Sequence, residues 1–269
     1  MISFLPTDSA LCTGIYSLTF AMLLHTREND VKKQVKKTNK IETFKQWIVM
    51  KNSAPLVNDF NHFIESKSFC CIGARKAKSQ NNLFHQKSRY PEEDLTHVYD
   101  FLESFALDKI KGKDFYSAIV FFTQKSITSE KDFEFFLWEI LTNLNNTDKN
   151  KYKWANGYSK NTNDKNFSFS IAGEAFFVVG LHPMAHRISR RFNTPTLVFN
   201  HHAMFDKLKS NDTFDRYKMA IRKNEIRIQG YLNKHLHDFG QYSEACQYAS
   251  SSNEKFSLEL IFKEKEHDK

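Results

Sequence analysis

The chain has 269 residues, 41% of them hydrophobic, with 26 phenylalanines against eight glycines and five prolines; this is ample for a core and excludes a repeat array or a low-complexity chain. Thirty-nine basic and 31 acidic residues leave a net charge of +8, and five lysines fall in Val31–Lys40. No RRM, zinc-finger or helix-turn-helix pattern accompanies that run, so it reads as a solvated linker and not as a nucleic-acid surface.

Four cysteines, Cys12, Cys70, Cys71 and Cys246, form neither a zinc framework nor a disulfide scaffold, which points to a reducing, cytoplasmic setting. Ala10 to Leu24 carries no charge, yet it is shorter than the ~20 residues of a membrane span. It follows Asp8 and not Lys or Arg, so neither export nor a membrane partner is expected. Residues 1–40 are expected to be a poorly ordered N-terminal extension, 41–250 the folded domain and 251–269 a C-terminal segment.

From Ile41 the pattern becomes regular. Phe44, Trp47, Ile48, Leu56, Val57, Phe60, Phe63 and Ile64 recur at steps of three and four, predicting two short helices. Phe69 to Ala74 reads as a buried segment, and Leu83 to Tyr90 as a strand stopped by Pro91. Glu92, Glu93 and Asp94 suit a helix start, and Leu95, Val98, Leu102 and Phe105 give the helix its buried stripe. Ser117 to Phe122 predicts a fully buried strand. Thr128-Ser129 caps the next helix, whose stripe is Phe133, Phe136, Leu137, Ile140, Leu141 and Leu144.

Phe167, Phe169 and Ile171 alternate with serines, as in a half-exposed strand. Ala172-Gly173 leads at once into the apolar strand Ala175 to Leu181, so the two are expected to form a hairpin. That strand stops at His182-Pro183, since proline cannot donate to a ladder. A further strand, Thr196 to Phe199, is closed by Asn200-His201-His202. Phe205 to Gly230 is expected to be mostly helical, burying Tyr217, Met219, Ile221, Ile226 and Ile228. The sum predicts an α/β (α+β) single domain: a mixed, largely antiparallel sheet with packed helices. Two strands would deliver imidazoles at their ends, where these are expected to converge on one cavity.

Several segments together resemble the YqcI/YcgG-like proteins. They are Gly173-Glu174-x-Phe176-Phe177-Val178-Val179-Gly180-Leu181-His182-Pro183, Arg190-Arg191-Phe192 and Leu197-Val198-Phe199-Asn200-x-His202. Cys71-Ile72-Gly73-Ala74 lies upstream, and Asp238-Phe239-Gly240 with Ser243-Glu244-Ala245-x-Gln247-Tyr248 downstream. The resemblance implies a haem-dependent oxygenase that N-hydroxylates a guanidino or related amine substrate, as in guanitoxin biosynthesis and arginine N-hydroxylation. It implies haem b as cofactor, with oxygen and an electron donor as partners; the oligomeric state stays open. The alternative is a non-catalytic haem or small-ligand binding protein on the same scaffold.

Haem iron needs one protein ligand and one open face, and His182 and His202 are the motif histidines, alternatives for one axial position. His186 and His201 are neighbours without motif support. Glu174 either holds the substrate cation or pairs with Arg190 or Arg191. Arg190 and Arg191 are also candidates for the haem propionates, and Arg187 is more simply a solvated side chain. Cys71 is a small buried side chain or, less simply, a thiolate ligand. Glu244, Gln247 and Tyr248 line the pocket or lock the C-terminal segment, the second being preferred.

Overall fold

The computed structural model describes residues 54–109, 114–232, 240–249 and 262, nearly all within one unit, Pro55–Lys269. The expected N-terminal extension, the lysine run and nearly all of segment 251–269 lie outside the described residues. Among those described, no helix is long and apolar enough to cross a membrane.

Helix α1 covers residues 54–65 and buries Phe60 and Ile64. The Arg75 guanidinium takes the carbonyls at its C-terminal end: Nε donates to Ile64 O (3.0 Å) and Nη2 to Ser66 O (2.8 Å) and Phe69 O (2.9 Å). Such a basic side chain satisfies acceptors that a helix end otherwise leaves open. Arg75 belongs to α2 (Ile72–Ser79), so part of the expected buried segment is already helical. Strand β1 (Leu83–Ser88), α3 (Thr96–Ser104), a π-helical turn (Phe105–Lys109) and β2 (Ser117–Phe122) follow. The acidic residues before α3 stay outside it, and Asp94 Oδ1 accepts from Thr96 N at 3.0 Å.

Helix α4 (Glu130–Asp148) starts where Ser129 accepts from Asp132 N, and all six residues of the predicted stripe are buried. Strands β3 (Phe169–Ile171) and β4 (Glu174–Leu181) form the expected antiparallel hairpin. Ala172 at φ 54° and Gly173 at φ 75° both sit in the left-handed region that a tight two-residue hairpin turn requires. Asp148 Oδ1 accepts from Ala172 N at 2.8 Å and anchors the turn to α4. The serines of this strand are not exposed as the alternation suggests. Ser170 Oγ accepts from Ala155 N (3.0 Å) and Ser168 Oγ donates to Phe176 O (3.2 Å), both buried. Their hydroxyls can enter the interior because each has a backbone partner.

A 3-10 turn (Ile188–Arg190) precedes β5 (Thr196–His201), α5 (His202–Ser210), α6 (Phe214–Gln229) and the short α7 (Ala245–Tyr248). The sheet order is β1-β2-β5-β4-β3. Only β1 and β2 run parallel, and the other pairs are antiparallel, giving the mixed, largely antiparallel sheet that was expected. Its first face carries Ala118, Val120, Phe122, Phe176, Val178, Leu197 and Phe199 into a large core with α3 and α4. The alternate residues point to the second face, toward α1, α2, α5 and α6. One end there is closed by Phe60, Ile64, Phe121 and Phe192; the rest borders a cavity. Helix α6 overturns one expectation, since Met219 is 63% and Ile226 49% exposed. The inward group is Glu225, 1% exposed, because the helix turns a polar side to a buried arginine.

Candidate functional site

The cavity on the second face has a volume of about 330 Å³, the scale of a small-molecule site. Its floor is Phe177, Val179 and Leu181 of β4 with Val198 of β5 and Ile119 of β2; Phe60, Phe69, Phe115 and Tyr217 wall it. Polar groups enter at two places, and each is built from residues distant in sequence.

At one end is His202, the first residue of α5, 6% exposed. Its Nε2 lies 3.1 Å from Glu244 Oε2. Glu244 is 3% exposed and accepts from the Tyr248 hydroxyl through Oε1 at 2.5 Å. That hydroxyl also accepts from Phe169 N at 3.1 Å, tying the pair to the hairpin. Burial, with Glu244 beside it, holds the Tyr248 phenol well above its ordinary pKa, so it stays a neutral donor. Asn200 adds a second polar group, accepting from Ser117 Oγ (2.7 Å) and donating to Phe177 O (3.2 Å).

At the other end the 3-10 turn supplies Arg187 and Arg190. Arg187 is 6% exposed and its Nε donates to Glu225 Oε1 at 2.7 Å. Ser189 Oγ donates to Glu225 Oε2 at 2.9 Å. Burial alone would raise the Glu225 pKa, but the Arg187 hydrogen bond and charge outweigh it and the net shift is downward. Arg190 donates from Nη1 to Gly180 O at 3.1 Å. Cys70 and Cys71 line the same end. Burial pushes the Cys70 thiol up to about 12 and raises Cys71 as well, so both are neutral side chains and not ready thiolates.

The expected convergence of His182 and His202 does not occur. Leu181 pairs with Thr196 and Phe176 with His201, so the two imidazoles leave opposite ends of the sheet, separated by on the order of 20 Å of strand. Antiparallel neighbours send their C-terminal ends to opposite edges; only parallel strands bring them to one edge. Face parity parts them too. His182 follows Gly180 on the first face, where its ring stacks on Phe133 with centroids 4.1 Å apart. It is 0% exposed and neither ring nitrogen has a hydrogen-bond partner among the described residues. Burial pulls its pKa down to about 4. It is not among the residues that line the cavity.

Glu174 also lies on the first face. Its Oε2 meets His201 Nε2 at 2.9 Å, while His201 Nδ1 accepts from Ala203 N at 3.1 Å. Glu174 therefore pairs with His201 and with neither Arg190 nor Arg191. Arg191 is exposed, donating to Ala185 O (3.0 Å) and His186 O (3.4 Å) outside the cavity. Of the expected site residues, His202 and Arg190 reach the cavity; Glu174, His182 and Arg191 do not. Glu244 lines the cavity as well as locking α7, and Arg187 is buried and not solvated. Glu225 carried no signal in the sequence, where it is one acidic residue on a charged helix.

A haem group needs apolar walls, one ligand and cationic partners for its propionates. The described residues fit: an aromatic and aliphatic cavity, His202 at one end, and Arg190 with Arg187 at the other. His202 also has the carboxylate on one ring nitrogen that fixes the orientation of metal-binding imidazoles. Among the described residues no three His, Cys, Asp or Glu side chains gather as a bare metal ion would need; a macrocycle brings four nitrogens and asks the protein for one.

Comparison with curated proteins and with solved structures returned no match. The model of the YqcI/YcgG family matches residues 60–258, which spans the whole sheet, both ends of the cavity and the Glu244–Tyr248 segment. The chain belongs to the YqcI/YcgG family.

Proposed function

We propose that the cavity is the site of a haem-dependent oxygenase that N-hydroxylates a guanidino or related amine substrate. The observation that carries this reading is the buried His202–Glu244 pair facing an apolar cavity. His202 would hold the iron of haem b, with Glu244 and Tyr248 keeping its ring in one orientation. Haem iron supplies activation of oxygen when reduced by an external electron donor. The protein's part is to exclude water from the apolar floor and to hold the substrate nitrogen in place. Glu174 cannot hold the substrate cation from the opposite face. Glu244, the one carboxylate among the described lining residues, is committed to His202 and Tyr248, so positioning of the substrate nitrogen is left to the shape of the cavity.

The largely apolar lining also favours a second reading, a haem or small-ligand binding protein without turnover; shared scaffold does not carry activity. The test is expression with a haem precursor followed by absorption spectroscopy of the parent, His202→Ala, His182→Ala and Glu174→Gln proteins. The expected result is a Soret band that His202→Ala alone removes. Folded parent protein without the band refutes the haem reading. Given the band, incubation with arginine, reductant and oxygen separates enzyme from binder by the mass of a hydroxylated product.

A further inference from the structure

Arg190 is a buried cation whose counter-charge the described protein does not supply in direct contact. It is 8% exposed and borders the cavity. A guanidinium has five N–H donors, and one is accounted for, by Gly180 O. Among the described residues no carboxylate pairs with it. The nearest candidate, Glu225, has its two oxygens engaged by Arg187 and Ser189. Arg187–Glu225 is thus an ion pair in its own right, and Arg190 beside it adds a positive charge that Glu225 offsets only through space and that no described carboxylate contacts.

Leaving a buried charge without a partner is strongly unfavourable, and such groups persist where something else meets the charge. Burial, with Arg187 adjacent, lowers the Arg190 pKa to about 9, which still leaves it cationic at neutral pH. Lys209 and Lys218 also line the cavity but are paired with Asp206 and Asp215, and Glu244 is the carboxylate among the described lining residues. Glu244 is also remote. Arg190 is tied to Gly180, whereas His202 adjoins the residue paired with Phe176, about 13 Å along the strand.

We infer that Arg190 anchors a carboxylate of the molecule that fills this cavity, at the end away from His202. The planar fork of a guanidinium matches the two oxygens of a carboxylate. Two sources offer that chemistry, a propionate of the macrocycle or the carboxylate of an amino-acid substrate. Both follow from the function proposed above, but the anchor itself follows from the charge that no described carboxylate contacts.

The full-length protein is titrated with two matched pairs. Haem b is compared with its dimethyl ester by the Soret band, and L-arginine with agmatine, which lacks the carboxylate, by calorimetry. In at least one pair the free acid binds about 10- to 100-fold more tightly, as expected for one desolvated charge-assisted contact. Arg190→Gln abolishes that preference, and Arg190→Lys retains part of it. A preference within the haem pair assigns the anchor to a propionate; one within the arginine pair assigns it to the substrate. Equal affinities in both pairs overturn the inference, and this comparison needs no variant to fold. So does a preference that survives Arg190→Gln in protein of parental Tm. Haem ester bound with no acid preference anywhere removes the anchor and leaves the haem reading. Arginine preferred over agmatine without any Soret band does the reverse, and a protein that binds none of the four loses both.

Discussion

His182 offers the sharpest check, because it was a candidate iron ligand and lies in the core with neither ring nitrogen bonded among the described residues. The perturbation is His182→Leu, an apolar side chain of similar volume. In the folded protein burial holds the imidazole down to about 4, against 6.5 when free. Between those values the unfolded chain takes up a proton that the folded ring refuses. This contribution to stability is therefore complete above pH 6.5 and is lost as the pH falls through about 4. A depression of that size corresponds to roughly 3 kcal/mol. Leucine has no proton to accept and no polar atom to desolvate. The variant should be at least as stable as the parent at pH 7, and its advantage should widen by about 3 kcal/mol by pH 4. Urea unfolding at pH 7, 5.5 and 4 measures this directly. Parallel pH profiles for the two proteins, or a variant several kcal/mol weaker at pH 7, would show that the ring nitrogens are bonded and that the reasoning is wrong.

Other substitutions probe each end of the sheet. A methyl group at Gly180 would stand 2.4 Å from Phe133 Cε1 and 2.9 Å from Tyr248 O, so Gly180→Ala should cost about 1–3 kcal/mol in thermal or urea unfolding. Glu225→Gln leaves Arg187 buried without its counter-charge, a loss of about 3–5 kcal/mol at pH 7 by the same measurement. Because the Glu225 pKa is depressed in the folded state, its contribution is present above the free value of 4.5 and is lost as the pH falls below it. The gap between parent and Glu225→Gln should narrow accordingly in acid, and a constant gap would count against the ion pair.

Much of the architecture was legible because its signals are local. The stripe from Phe133 to Leu144 declares α4, Ser129 caps it, and Ala172-Gly173 turns the hairpin. The stripe of α6 misled because Met219 and Ile226 are apolar at helical spacing, while the inward position belongs to Glu225. No local pattern announces that a glutamate will be buried by an arginine 38 residues away. The site suffered in the same way. His202 and Arg190 were visible as motif residues, but Glu244 as the partner of His202 depends on a contact 42 residues long.

By itself the amino-acid sequence determined most of the strands and the longer helices, and that the sheet is mixed and largely antiparallel, but not helix α2 or the break between α5 and α6. These follow from periodicity, proline, glycine and capping side chains within a few residues of one another. Only the tertiary structure decided which imidazole shares a cavity with which charge. That outcome rests on strand direction and on the parity of each residue along its strand, so a reversal of one strand carries a histidine to the far edge, and a step of one residue carries it through the sheet.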